Sequence, residues 1–162
     1  ASTVYRAVLG AVNGMAARVL VTVGRRFDPS GLDPVPSNVH PEAWVEQADV
    51  LRHADLVVCH GGSGTAFGAL AAGVPVVIVP LFADQFENGL RIAGAGAGLC
   101  VETAHAADRS QGISEERDVP AIAGGIAEVL GEPRYRLGAQ RIAREVASHQ
   151  TVDEVLEALV LG

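Results

Sequence analysis

Short apolar runs alternate with helical segments along most of the chain, and that alternation leaves few folds open. Residues 18–23 read RVLVTV, residues 55–59, 75–79 and 98–101 form similar short runs, and a brief extended piece falls at 38–41. Between and around them, helices are expected at 3–13, 48–54, 64–72 and 88–93, with three more at 119–130, 133–148 and 152–161. Strands without polar alternation are buried on both faces. The expected fold class is therefore α/β: a Rossmann-like doubly wound parallel sheet with helices on both faces. No repeat, heptad register or linker divides the chain, so a single domain over residues 1–162 is expected. Residues 102–118 are polar and charged and read as a surface loop.

Charge and composition close off several functions. Twelve basic residues stand against 19 acidic ones, a net charge of -7, which leaves no basic surface for nucleic acid. All twelve are arginines, so neither a P-loop lysine nor a Schiff-base lysine is available. Cys59 and Cys100 are too few for a disulfide scaffold or a four-thiolate zinc site. The strand at 75–79 should part them by roughly 9–10 Å, too far for a disulfide. The five histidines show no H-x-x-x-H or H-E-x-x-H spacing, so no metal site is expected. Residues 66–83 carry no charge, but Gly68, Gly73, Pro75 and Pro80 divide them into a helix and a strand rather than a membrane span. With no basic n-region and apolar core at the start, a cytoplasmic location is expected. The first residue is not methionine, which reads as a fragment.

The densest chemical signal is His60-Gly61-Gly62-Ser63-Gly64-Thr65, between an apolar strand and a helix. In such a sheet the ligand crevice lies at the carboxyl ends of strands, where a helix N-terminus offers unpaired N–H groups to a phosphate. Glycines let those amides approach an anion, while Ser63, Thr65 and His60 can add donors. Taken alone, the cluster also fits a merely tight turn. Asp84 and Gln85 follow the next strand, where a carboxylate and an amide can read hydroxyl groups. Trp44, the only tryptophan, is suited to stacking on a planar base and is followed by Val45, Glu46 and Gln47.

From residue 18 to 101 the chain resembles the donor-binding, C-terminal half of a family 1 glycosyltransferase of the GT-B fold, of the bacterial kind that decorates antibiotics. The matching pieces are Thr22-Val23-Gly24, Asn38-Val39, W-V-x-Q at 44–47 and H-A-D-L at 53–56. They continue with H-G-G-x-G-T at 60–65, A-L-x-x-G-V-P at 69–75 and P-x-x-x-D-Q-x-x-N at 80–88. The resemblance implies transfer of a sugar from a nucleotide-diphosphate sugar to a hydroxyl of a hydrophobic natural product, without a cofactor or a metal. It places Trp44, Val45 and Gln47 at the nucleotide, and His60, Gly62, Ser63, Gly64 and Thr65 at the diphosphate. Asp84 and Gln85 fall at the transferred sugar, and Asn88 is expected to cap the following helix.

Three departures qualify it. Uridine-diphosphate-sugar members carry a glutamate for the ribose diol eight residues beyond the histidine, where this chain has Gly68. A deoxyribose has no 2′-hydroxyl to bind, so a thymidine-diphosphate (TDP) sugar is favoured over a uridine-diphosphate (UDP) sugar. Glu46 replaces the family's usual proline, which loosens the turn before Gln47. The family's half also opens with a strand that has no counterpart here, leaving an expected gap beside the strand before His60, to be filled by rearrangement, by dimerisation or by a partner strand. No catalytic residue is expected in the chain, because the acceptor-binding domain and its base are absent from it. Two other readings remain: a non-catalytic sugar-nucleotide-binding module and an NAD(P)-dependent oxidoreductase. Gly62-x-Gly64 with Asp84 twenty residues on imitates a dinucleotide fingerprint, though Phe67 stands where its third glycine belongs.

Overall fold

The computed structural model describes residues 3–103, 112–150 and 154–157. Helix α1 (Thr3–Val12) leads into β1 (Val19–Thr22), a 3-10 turn (Pro29–Leu32), β2 (Val39–Glu42) and the short α2 (Gln47–Leu51). Then β3 (Val57–Cys59), α3 (Ser63–Ala71), β4 (Val76–Ile78), α4 (Gln85–Gly94) and β5 (Gly98–Cys100) alternate strictly. Two long helices follow, α5 (Glu115–Gly131) and α6 (Pro133–Ser148), and residues 154–157 are again helical.

All the strands pair in parallel, as expected, but in two sheets. β1 pairs with β2, Val19 opposite Val39, and β3, β4 and β5 form the second sheet in that order. Among the described residues no ladder joins β1 to β3. The break falls where the resemblance puts its unmatched strand, and a cleft of about 2200 Å³ runs between β1 and β3 there.

The central strand shows why the fold is doubly wound. Side chains alternate along it. Val77 and Val79 face Ile122, Ile126 and Val129 of α5 together with Ala7, Ala11 and Val12 of α1. Val76 and Ile78 join Ala66, Ala69 and Leu70 of α3, Ile92 of α4 and Ala139 of α6. All four strand residues are fully buried or nearly so, which accounts for the uninterrupted apolar run at 76–79.

Cys59 and Cys100 each stand opposite Ile78, on either side of β4, and both are free thiols. Three expectations are corrected. α4 begins at Gln85, not Asn88, because Asp84 already occupies the cap position. α2 is shorter than residues 48–54 and ends at Leu51. α5 begins at Glu115, inside the expected 102–118 loop, because Ser114 caps it. Residues 104–111 of that loop, and the ends of the expected 152–161 helix, lie outside the described residues.

Candidate functional site

β3 delivers the chain into the glycine loop, and two contacts explain its sequence. Gly61 has φ +90°, and a β-carbon there would lie 2.8 Å from Ile78 Cγ2 and 2.9 Å from the Gln85 carbonyl oxygen. A β-carbon on Gly62 would lie 2.6 Å from His60 Nε2, so the imidazole rests against the space that Gly62 leaves open. Gly62 is the cap of α3 and has no side chain to bond the first helical N–H groups, and no other side chain among the described residues does so. The first ladder bond runs from Ala66 N–H to Gly62 O, leaving the amides of Ser63, Gly64 and Thr65 as the open end of the helix. His60, Ser63 and Gly64 are exposed and Thr65 is half-buried.

Trp44, Val45, Gln47, His60 and Thr65 all border the cleft between the two sheets. Trp44 follows β2, is 46% exposed, and carries the Arg25 guanidinium 3.7 Å above its ring centroid. Gln47 Nε2 donates to Thr65 O at 3.4 Å and so ties α2 to the first turn of α3.

Asp84 and Gln85 do not border this cleft. Asp84 is exposed, and the preceding Ala83 adopts φ +56°, a left-handed conformation that is costly for a residue with a side chain. Gln85 is only 4% exposed, and its Oε1 accepts from the N–H groups of Leu81 (2.9 Å) and Phe82 (3.1 Å). Its carbonyl oxygen therefore builds the loop after β4, and Nε2 is the part of the amide left over for a ligand. Burial pushes the Cys59 thiol above its ordinary range, against a weaker opposing hydrogen bond from Gly61, so it is no activated nucleophile.

The family described as erythromycin biosynthesis protein CIII-like, C-terminal domain, matches residues 6–161. The chain belongs to this family. It is 29% identical over 159 residues to 4′-demethylrebeccamycin synthase of Lentzea aerocolonigenes, covering 98% of this chain and 35% of that protein. To oleandomycin glycosyltransferase of Streptomyces antibioticus it is 32% identical over 127 residues, covering 77% of this chain and 30% of that one. Spinosyn rhamnosyltransferase superposes with a TM-score of 0.83 at 27% identity, over 99% of this chain and 41% of that one. A second structure of that enzyme, complexed with thymidine diphosphate, gives a TM-score of 0.82 at 28% identity over 98% and 40%. The CIII-like chain thus spans about a third of the length of these curated relatives. Its fold is the Rossmann-like C-terminal half of the GT-B glycosyltransferases.

In this CIII-like domain three residues do work that the sequence alone did not reveal. Asn88 does not cap α4; it sits in the first turn, where Nδ2 donates to Gly61 O at 3.1 Å and to Asp84 Oδ2 at 3.2 Å. It thereby fastens the glycine loop to the start of α4. Asn38 closes the end of α1, its Nδ2 donating to Val12 O at 2.9 Å with Ala17 O at 3.2 Å and Met15 O at 3.3 Å. Arg136 of α6 reaches Asp55 O at 2.8 Å and Asp55 Oδ1 at 3.1 Å, anchoring the approach to β3. The asparagines were visible as motif letters, but the backbone carbonyls they hold are 20 or more residues away in sequence.

Proposed function

We propose that this domain binds the nucleotide-sugar donor of a glycosyltransferase that moves a sugar from a TDP-sugar to a hydroxyl of a hydrophobic natural product. The observation that carries the reading is the uncapped start of α3, with His60 folded against Gly62, opening beside the cleft that holds Trp44 and Gln47. In this reading Trp44, Val45 and Gln47 hold the nucleoside. His60 and the amides of Gly62, Ser63, Gly64 and Thr65 hold the diphosphate, and Asp84 with Gln85 Nε2 reads the sugar hydroxyls.

Charge builds on the leaving diphosphate as the glycosidic bond breaks. Fixed N–H dipoles at a helix start stabilise it without reorganising at the moment of reaction, and no metal or other cofactor is called on. The acceptor pocket and the catalytic base belong to a facing acceptor-binding domain, and the protein works in the cytoplasm. Support for the TDP preference comes from Gly68, whose missing β-carbon would lie 3.1 Å from Gln47 Nε2. A longer side chain there would emerge next to the nucleoside, where a carboxylate meets a ribose diol.

Calorimetric titration with TDP, UDP and NADH at one salt concentration tests the reading. TDP should bind more tightly than UDP, and NADH should not bind. A tighter NADH complex would overturn the donor-binding reading in favour of an oxidoreductase. The Gly68→Glu variant should shift preference toward UDP; an unchanged TDP-to-UDP ratio would remove the deoxyribose argument.

A further inference from the structure

Trp44 is offered to a base on only one side, because the Arg25 guanidinium already covers one face of its ring at 3.7 Å. Arg25 follows Gly24, whose φ of +93° turns the chain at the carboxyl end of β1. Gly24 and His60 border the same cleft. Arg25 itself stands at the rim, beside the cleft-lining Gly24 and over the cleft-lining Trp44, and the arginines that line the cleft are differently placed. Arg52 is paired with Asp49 and Arg136 with Asp55, while Arg18 precedes the opposite end of β1. Arg25 has no carboxylate partner among the described residues, and in a lysine-free chain of net charge -7 uncommitted cations beside the cleft are scarce.

We infer that Arg25 is a diphosphate-binding residue parked on Trp44, and that it leaves the indole when a nucleoside diphosphate enters. The inference rests on the donor-binding reading above and adds to it a residue and a coupling. A guanidinium stacked on an exposed ring is held weakly. A diphosphate offers the same planar fork two charged acceptors, a stronger pairing. Its departure bares the covered face of Trp44 to the base. Base recognition is thereby made conditional on the phosphates, and a bare nucleoside must compete with Arg25 for the ring.

The consequence is a crossed pair of effects in Arg25→Ala, read from the fluorescence of Trp44, the only tryptophan in the chain. TDP should bind roughly ten- to a hundredfold more weakly, as for loss of hydrogen bonds to a charged group. Thymidine should bind about two- to fivefold more tightly, as for removal of a competing cation–π contact. Inorganic pyrophosphate should change Trp44 emission in the wild-type chain and leave it unchanged in Arg25→Ala. Arg26→Ala, which removes the same charge one residue along, should keep the wild-type ratio of thymidine to TDP affinity. Equal weakening of both ligands in Arg25→Ala, or unaltered TDP binding, overturns the inference while leaving donor binding in place. Failure of the wild-type chain to bind TDP overturns both.

Discussion

At Gly62 the His60 imidazole takes up the space a β-carbon would fill, so the ring is positioned by packing, with no hydrogen bond needed to aim it. Two substitutions separate placement from chemistry. His60→Ala should weaken TDP binding by roughly 1.5–3 kcal/mol, the range for a hydrogen bond to a charged group. Gly62→Ala should cost a comparable amount although it deletes no donor, because the new methyl and the ring cannot share the site. Calorimetry on both variants checks this; wild-type affinity in Gly62→Ala would mean that the ring position is immaterial. The residue types at 60–65 were enough to place a glycine turn at the start of a helix from the sequence. The division of labour between Gly61 and Gly62 was not legible, since it depends on Ile78 and Gln85, which the fold alone brings near. The same holds for Gln85, whose amide reads in sequence as a sugar ligand but whose oxygen is spent on Leu81 and Phe82.

Among the elements, the starts of helices were the least legible features, and α5 shows why. Its expected start is residue 119, and Pro120 lies inside the helix that forms. The actual cap is Ser114, whose Oγ accepts from Arg117 N–H at 3.2 Å while Asp118 Oδ2 accepts from Ser114 N–H at 2.8 Å. Acidic residues at 115, 116 and 118 complement the helix dipole and were the readable signal. Ser114→Ala should cost about 1 kcal/mol of stability, seen as a lower urea midpoint with an unchanged slope. TDP affinity should be unaffected, and an unmoved midpoint would show the cap to be dispensable. Strand positions, by contrast, were legible almost to the residue, because apolar runs buried on both faces have no competing periodicity. Their pairing into two sheets is a tertiary outcome, foreshadowed only by the gap that the family resemblance implied.

For the whole molecule, that gap leaves two strand edges facing one cleft. Val19 and Val23 donate to β2, so by the alternation of a parallel ladder the N–H and C=O groups of Leu20 and Thr22 point the other way. Tyr5 Oη donates to Thr22 O at 3.2 Å and covers one of them. Leu20 is 38% exposed. Unpaired edges of this kind recruit other strands, so light scattering should show concentration-dependent association that Leu20→Lys reduces. A wild-type chain that stays monomeric across the concentration range would contradict this. The glycine loop carries a different consequence. Gly61 is pressed against Gln85, and Asn88 grips both Gly61 and Asp84, so β3 and α4 are interlocked across the intervening α3 and β4. Anyone transplanting this glycine loop into another scaffold must move residues 57–94 as one cassette, because a crossover between Gly61 and Gln85 would join a loop from one parent to a clasp from the other.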